Sequence, residues 1–540
     1  MTTVDWSVLS GPRVSRRTLV KLAATTGAAG FAGRLAAADA APRAMLGTVQ
    51  DQPKPGGTLQ LGFGISQIPT LDPAQETTGI VAGELLGNLF SSLVQFDEQL
   101  GLKPDLAETW QVSEDGLRYT FTLRDGLTFH NGDSLQAEDV RYTYQRTSNP
   151  DFASPHANKL TFITDVATPD ERTVAFTLST PYAPFLSTAC SRGPGRALTP
   201  VPRRAIEEMG DQQFGLTPVG SGPFKIVPET ANTAGEGFEM IAFEGWYGGR
   251  PLLDKIVVQI IPEPSSRLSA LEAGDIDMLD IVPATGAEQL AQNPDLTIVD
   301  APGTNWWGMS FNRARAPWDN PDARLAVAKA IDRQAMIDTA FFGLGVPGVG
   351  PIAPAFGWVY VPPEEVETPQ AFDLAAAKSL AEKSGLAGAK SSVLAAEDDR
   401  PHQVVRNILA DIGLDLAVDK VQTATYFERR DAGDYDTMIT GSVVDADPDD
   451  GHFNFFHSEG PWNTYGYASE GADRLIEATR QTTDQAERAR LYQELQALLQ
   501  AEVPFAFLFH LPDRTAFHTD VKGYVPIPEM RYLETVWLDR

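Results

Sequence analysis

The sequence is nearly free of cysteine, since Cys190 is the only one among 540 residues. A single cysteine cannot form an intramolecular disulfide, and it cannot supply the thiolates of a four-cysteine zinc site or an iron–sulfur cluster. The expected role of Cys190 is that of a small buried side chain. We therefore predict a fold held together by its hydrophobic core, without a cofactor.

Basic residues are also scarce. Lys and Arg number 43 against 72 Asp and Glu, which gives a net charge of −29. A field of this sign repels phosphate backbones and anionic lipid headgroups, so we predict no nucleic-acid binding. The length, together with a hydrophobic content of 42%, predicts two or three domains with sizeable cores.

The N-terminal region contains no apolar run long enough for a membrane-spanning helix, which takes about 20 residues. Its mild apolar stretch, residues 22–33, follows the basic segment SRRTLVK at 15–21. Small residues at 38–40, ADA, complete the three-part pattern of an export signal. The arginine pair resembles that of twin-arginine signals, whose pathway exports folded proteins.

These features predict that residues 1–40 are a twin-arginine-type signal peptide and that residues 41–55 are a flexible lead-in. No cysteine stands near the cleavage point, so the mature N-terminus has no site for lipid attachment. We expect a soluble, acidic protein outside the cytoplasm, without a membrane anchor.

Hydrophobic periodicity separates strand-rich from helix-rich regions. Period-two alternation predicts a strand from residue 58, a meander over 117–130 and further strands at 174–178, 241–243 and 256–260. The period changes beyond about residue 311, and aromatic alternation returns after residue 504.

Helical spacing begins beyond about residue 311. Apolar residues three or four apart predict one helix of about five turns over 320–343, a second over 373–385 and a third over 484–501. Strands, then helices with interspersed strands, then strands again indicate an α/β protein whose chain leaves one lobe, builds another and returns.

Common catalytic motifs are absent from the sequence. It has no G-x-S-x-G elbow, no H-E-x-x-H, no P-loop and no G-x-G-x-x-G between a strand and a helix. Residues 445–451 imitate a calcium loop, but Asp450 takes the place of the turn glycine and Phe456 that of the bidentate glutamate. We predict neither an enzyme nor a metal site.

A series of ordered motifs closely resembles the family 5 extracellular solute-binding proteins, the dipeptide- and oligopeptide-binding components of ABC importers. The matching segments, all in the family's order, are LAETWQVSEDG at 106–116, YTFTLR at 119–124, FHNG at 129–132, AEDV at 137–140, PVGSGPF at 218–224, LEAGDID at 271–277, 311–312, 323–332, GDYD at 433–436 and VKGY at 521–524. The resemblance covers nearly all of 56–540.

The resemblance implies a two-lobed, type II periplasmic-binding-protein fold with an additional subdomain. By that resemblance lobe I comprises residues 56–95, 215–310 and 505–540, the extra subdomain 96–214, and lobe II 311–504. It also implies a periplasmic monomer that works with an ABC permease in the inner membrane.

The family's ligand contacts can be carried over to two charged residues. In peptide-binding members an Asp after a Gly-Trp pair holds the ligand's α-ammonium, and Asp445 stands at the matching place. An Arg in an Arg-Pro dipeptide holds the ligand's carboxylate in dipeptide binders, and Arg400 matches it. Together they would clamp a zwitterion, although a solvated acidic loop is the alternative for Asp445.

Three further residues bear on the ligand. Ser442 occupies the position where peptide binders have Trp, which removes one wall of the expected site. Trp306 and Trp307, beside the expected hinge, either line the cleft or pack in the core.

We predict a substrate-binding protein that captures a short peptide between two closing lobes, catalyses no reaction and delivers its ligand to a permease. The alternatives are a non-peptide ligand, such as an amino-acid conjugate, a sugar or a chelated metal, and a sensor role with the same fold. A secreted hydrolase is disfavoured because the nucleophile motifs are missing.

Overall fold

The structure is a computed structural model that describes residues 52–231, 237–283, 286–396, 400–443 and 446–540. The predicted signal peptide, most of the lead-in and Asp445 lie outside the described residues. Residues Pro53–Arg540 form one compact unit.

The strands of the described residues form five sheets. In chain order they are β1 Thr58–Phe63, β2 Val94–Phe96, β3 Leu102–Pro104, β4 Ala107–Val112, β5 Arg118–Leu123, β6 Ile163–Asp170, β7 Thr173–Leu178, β8 Phe224–Ile226, β9 Gly237–Ala242, β10 Lys255–Ile260, β11 Met278–Leu279, β12 Leu296–Ala301, β13 Asn305–Phe311, β14 Val346–Pro347, β15 Lys390–Ala395, β16 Asp415–Lys420, β17 Thr437–Val443, β18 Phe505–His510, β19 Asp513–His518, β20 Val521–Lys522 and β21 Trp537–Leu538.

Helices alternate with these strands in most of the chain. The α-helices are α1 Gly79–Val81, α2 Gly87–Leu89, α3 Ala137–Thr147, α4 Phe185–Ala189, α5 Arg203–Met209, α6 Asp211–Leu216, α7 Pro264–Ala273, α8 Ala287–Ala291, α9 Pro321–Ala330, α10 Arg333–Phe341, α11 Leu374–Ser384, α12 Arg400–Ala410, α13 Thr423–Asp431, α14 Asp449–Phe456, α15 Glu470–Gln481 and α16 Gln485–Glu502. A π-helical turn, Ala82–Leu86, joins α1 to α2.

The first sheet has seven strands in the order β12-β19-β11-β1-β10-β9-β8. Its strand β1 runs parallel to β10 and β11, as in other α/β sheets. The alternation read from the sequence places Leu59, Leu61 and Phe63 in the core, each with no exposed surface. The strand predicted from residue 58 is therefore confirmed.

The second sheet has six strands in the order β14-β18-β13-β17-β15-β16. Hydrophobic clusters cover both of its faces, one with α9 to α12 and the other with α14 to α16. Because both faces are covered, all six side chains of β18 are buried, and the polar alternation of a half-exposed strand is absent.

A third, four-stranded sheet, β4-β5-β7-β6, has its own core with α3. All its strands fall within the predicted extra subdomain, 96–214. The outer limits of that subdomain stay a prediction.

The chain passes between the first two sheets twice. Residues 302–304 join β12 to β13, and residues 511–512 join β18 to β19. The predicted boundaries placed 305–310 and 505–510 with lobe I, whereas both segments are strands of the second sheet. Strand β13 pairs with β17 and β18, and β18 also pairs with β14, so their backbone hydrogen bonds attach both segments to the second lobe.

Asn305 links the two connections between the sheets, residues 302–304 and 511–512, which we call the crossovers. Its side-chain Nδ2 donates to the Leu511 carbonyl over 2.8 Å, and its Oδ1 accepts from the Leu511 N–H over 2.9 Å. The buried His510 ring donates through Nδ1 to the Asn305 carbonyl over 2.8 Å, and burial lowers the pKa of His510 to about 4. A neutral imidazole therefore completes this junction at neutral pH.

Two local predictions were wrong. The helix predicted over 320–343 is two helices, α9 and α10, because the Asp332 side chain accepts from the Ala335 N–H and starts a new helix. The last part of the meander, 127–130, forms an isolated bridge between Thr128 and Ser134 rather than a strand. The other two predicted helices are confirmed as α11 and α16.

Candidate functional site

At one edge of the second sheet, the carboxyl end of a parallel strand lies beside the connections between the two sheets. Strands β15 and β17 run parallel, and β13 runs antiparallel to β17 with Asn305 opposite Val443. The carboxyl end of β17 therefore lies beside both crossovers, and we call this edge, marked by Asn305, Val443 and His510, the crossover edge. Ligands of α/β sheets bind beyond the carboxyl ends of the parallel strands.

Trp306 and Ser442 lie directly opposite each other in the β13–β17 pair. Trp306 has no exposed surface. Its ring meets four phenylalanine rings at centroid distances of 5.0 to 6.1 Å, namely Phe455, Phe456, Phe505 and Phe507. Of the two roles left open for Trp306, the structure shows core packing.

Trp307 points to the opposite face of the same strand, as period-two geometry requires. It packs against the cluster that includes α9 to α12, and its ring is stacked on Phe509 at 6.1 Å. It is half-buried, and its contacts are again those of a packing residue at the crossover edge.

A cavity of about 190 Å³ lies on the Trp306 face of β17, and we call it the Ser442 cavity. Ser442, Thr440 and Met438 alternate along β17 and contribute one wall. The remaining lining residues are Arg430, Gly441, Phe455, Trp462, Tyr465 and Phe505. Ser442, a buried and small sequence-predicted site residue, thus lies in the wall of this cavity.

Arg400 is the first residue of α12, which follows the carboxyl end of β15. Its guanidinium lies 4.4 Å from the centroid of the exposed Phe342 ring. Two residues beyond Phe342, Leu344 packs against a hydrophobic cluster of the first sheet. Arg400 therefore lies near the boundary between the two lobes, but it is not part of the Ser442 cavity.

Asp445 lies outside the described residues, so the structure gives no account of its side chain. The described segment that resumes at residue 446 is held in place on both sides. Ala446 packs against a cluster formed by Phe96, Ile527, Met530 and Tyr532. Leu100, at the tip of the β2–β3 hairpin, packs against that cluster and against the aromatic cluster of the second lobe.

Two buried carboxylates just after this segment were missed as site residues by the sequence reasoning. Asp447 accepts two hydrogen bonds from the Arg488 guanidinium, at 2.7 and 2.6 Å, and one from Ser187 Oγ at 3.3 Å. Asp449 accepts from the Tyr182 hydroxyl at 3.1 Å and lies 3.2 Å from Nε of Arg480.

The hydrogen bonds from Tyr182 and Ser187 join the four-stranded-sheet region to the second lobe, in which Asp447 and Asp449 lie. The acidic run that contains them resembles a calcium loop in sequence. In the structure Asp447 and Asp449 pair with arginines and Asp450 accepts a hydrogen bond from Asn454. No metal-holding group of three His, Cys, Asp or Glu occurs among the described residues.

Burial raises the pKa of Asp449 to about 6. The positive charge of Arg480 acts to lower this pKa, and the negative charge of Asp447 adds a smaller increase. A raised pKa means that the folded state binds the proton more tightly than the unfolded chain. The stabilisation that results is complete below pH 4 and is lost as the pH rises through about 6.

We therefore expect the Asp449→Asn variant, which cannot ionise, to gain stability relative to the wild type as the pH rises. The melting temperature of the wild type minus that of the variant should fall between pH 4 and pH 7.5, measured by differential scanning fluorimetry. The exposed Asp165→Asn, measured over the same pH range, serves as the control for loss of one carboxylate at the surface. A difference for Asp449→Asn that grows with pH would contradict the assignment.

Within the described ranges, no helix is both long and apolar enough to cross a lipid bilayer.

Comparison with known proteins places these features in a family. Residues 101–464 match the family described as bacterial extracellular solute-binding proteins, family 5 middle. The di/tripeptide-binding protein 1 of Pseudomonas aeruginosa is 27% identical over 474 residues, which cover 81% of this chain and 86% of that protein.

Solved structures show the same similarity. The periplasmic binding protein DppA of Helicobacter pylori, in complex with the peptide STSA, superposes with a TM-score of 0.77 at 26% identity, covering 90% of this chain and 99% of that chain. The binding protein AgaA of A. tumefaciens R10, in complex with agropinic acid, gives a TM-score of 0.73 at 27% identity, covering 90% and 99%. The chain therefore belongs to family 5 of the bacterial extracellular solute-binding proteins and has the two-lobed, type II periplasmic-binding-protein fold with mixed helices and sheets.

Proposed function

We propose that this protein is the substrate-binding component of an ABC importer and captures a short peptide between its two lobes. The observation that carries the proposal is the position of the Ser442 cavity, whose wall includes the carboxyl end of β17 beside both crossovers. Relatives that share this fold are named for di- and tripeptides and one is solved with a bound peptide.

In this proposal Arg400 and Asp445 hold the two ends of the peptide. Arg400 is exposed, and within the described part of the chain its guanidinium lies over the uncharged Phe342 ring. A planar guanidinium binds a carboxylate through two parallel hydrogen bonds. Asp445 would accept from the α-ammonium at the end of β17.

Capture proceeds by reversible closure around the ligand. A ligand that contacts both lobes favours the closed arrangement only by its difference in affinity for the two states. Asn305, which joins the crossovers, is then a fixed point about which the lobes rotate. The peptide is released unchanged to the permease, and the protein acts as a monomer in the periplasm.

Export belongs to the same proposal. The SRRTLVK segment at 15–21 and the ADA triplet at 38–40 support a twin-arginine-type signal that is removed on export. A change of Arg16 and Arg17 to Lys would then retain the protein in the cytoplasm, which cell fractionation measures.

A thermal-shift screen with di- to pentapeptides tests the proposed ligand class. We expect a peptide to raise the melting temperature of the wild type in a concentration-dependent way, because only the folded state binds it. Arg400→Ala should weaken this shift, whereas Arg406→Ala, exposed on the same helix, should leave it unchanged. Equal shifts in all three proteins would remove Arg400 from the site.

A non-peptide ligand is the second candidate, favoured by the similarity to AgaA, which is solved with agropinic acid. The same screen with amino-acid conjugates, sugars and metal chelates distinguishes it. Stabilisation by these compounds and by no peptide would replace the peptide proposal.

A further inference from the structure

The Ser442 cavity has an inner end built from aromatic side chains. Phe455, Tyr465 and Phe505 are all buried, with exposed fractions of 6%, 1% and 0%. Phe505 meets Tyr465 edge-on at 5.0 Å, and Phe455 meets Trp462 in the same manner at 5.2 Å. Because these rings are fixed by contacts with one another, they form a rigid wall against which a further aromatic ring can pack.

The outer part of the cavity is more polar and more exposed. Thr440, Gly441, Arg430 and Trp462 are each half-buried and line the same space as the inner rings. The Arg430 guanidinium is paired with the carboxylate of Asp431 over 2.7 Å. The cavity thus offers a wide apolar interior behind a mouth that can remain in contact with water.

The volume of the Ser442 cavity limits the size of the group that it can hold. An apolar cavity of about 150 Å³ is enough to bind benzene, and the Ser442 cavity measures about 190 Å³. A charged group would lose its hydration among these rings at a large cost. A cationic side chain would in addition face the Arg430 guanidinium at the mouth. The chemistry of the walls therefore favours an uncharged ring over other groups of similar size.

Ser442 determines how much of this space is open. It lies on the same face of β17 as Thr440 and Met438, and it is the member nearest the crossover edge. A larger side chain at this position would occupy the cavity at the end where β17 meets the two crossovers. A ligand held at that edge could therefore place one side chain past Ser442 into the aromatic interior.

We propose that the Ser442 cavity is a specificity pocket for an aromatic side chain of the captured ligand, with Ser442 as the residue that keeps it open. This inference rests on the proposed function, since it assigns a side-chain preference to the same peptide site. It predicts that peptides containing Phe or Tyr bind more tightly than their alanine counterparts.

Calorimetric titration with Ala-Ala, Ala-Phe and Phe-Ala tests the pocket. In the wild type we expect at least one Phe peptide to bind on the order of tenfold more tightly than Ala-Ala, since a buried ring removes a large apolar area from water. In Ser442→Leu, which fills the cavity, this ratio should fall to about one.

A second filling variant, Thr440→Leu, lies at the half-exposed mouth of the cavity and should reduce the same Phe-to-Ala affinity ratio. It tests the pocket independently if Ser442→Leu does not fold. The matched control Thr425→Leu makes the same change at an exposed position outside the cavity and should keep the ratio. A Phe-to-Ala affinity ratio near one in the wild type, or a ratio that both filling variants leave unchanged, would overturn the pocket while peptide binding stands. Failure of the wild type to bind any peptide, including peptides with Tyr or Trp, would overturn the proposed function and the pocket together.

Discussion

Replacement of Arg488 by Met is expected to lower the free energy of unfolding by about 3–5 kcal/mol, because it leaves the Asp447 carboxylate buried without its counter-charge. Arg488 is 7% exposed and donates two hydrogen bonds to Asp447, which is 6% exposed. The loss should appear as a lower midpoint in urea denaturation.

The matched control is Arg490→Met, two residues along the same helix. Arg490 is exposed and pairs with Glu487 at the surface, where ion pairs contribute little. The double variant Asp447→Leu with Arg488→Met should recover part of the loss, because no unpaired buried charge remains. If Arg488→Met lowered the midpoint no more than Arg490→Met, the buried pair would not be a major source of stability.

Trp306→Ala should destabilise the second lobe by about 3–5 kcal/mol, the usual cost of removing a large buried ring. Trp306 has no exposed surface and contacts rings from α14 and β18, so its removal opens a cavity that these rigid neighbours cannot close. The fluorescence-detected midpoint of urea denaturation measures the loss.

Trp306→Phe is the informative control for this prediction. Among the described residues, the indole N–H of Trp306 has no hydrogen-bond partner, so replacing it by Phe removes no such bond while keeping a ring. We expect a much smaller loss than for alanine. A loss for Trp306→Ala as small as that for Trp306→Phe would show that the ring does not support the cluster.

The parts of the fold that were predictable from sequence are those in which one local rule decides the structure. For α11, the N-cap Asp373 and the left-handed Gly385 define both ends, and the predicted helix was confirmed. The break between α9 and α10 was missed because the apolar spacing continues through it, while the Asp332 side chain caps a new helix. The boundary of the second lobe was misplaced because β13 and β18 owe their sheet to long-range pairing, which periodicity does not reveal.

The candidate site shows the same division. Ser442 was found through the family resemblance, and the structure places it in a cavity. The role of Trp306 could not be decided from sequence, because a Trp on a strand facing aromatic residues suits a cleft and a core equally well. The partners of Asp447 and Asp449 lie 41 and 31 residues away along the chain, at Arg488 and Arg480, or belong to another sheet. No local sequence pattern predicts such long-range pairs.

The two buried acid–base pairs have a consequence for how the protein works. Tyr182 and Ser187 contact the segment 447–449, which follows the proposed ammonium anchor at Asp445 by only a few residues. A ligand held at the end of β17 would therefore lie next to the contacts that join the four-stranded-sheet region to the second lobe. Closure and ligand capture would then involve the same short stretch of chain.

Small-angle X-ray scattering of the protein titrated with a stabilising peptide tests the central claim most directly. Two lobes that close around a ligand predict a radius of gyration that falls saturably with peptide concentration and returns to its starting value after dialysis. A radius of gyration that stays constant while the peptide is bound at saturation would contradict capture by closure.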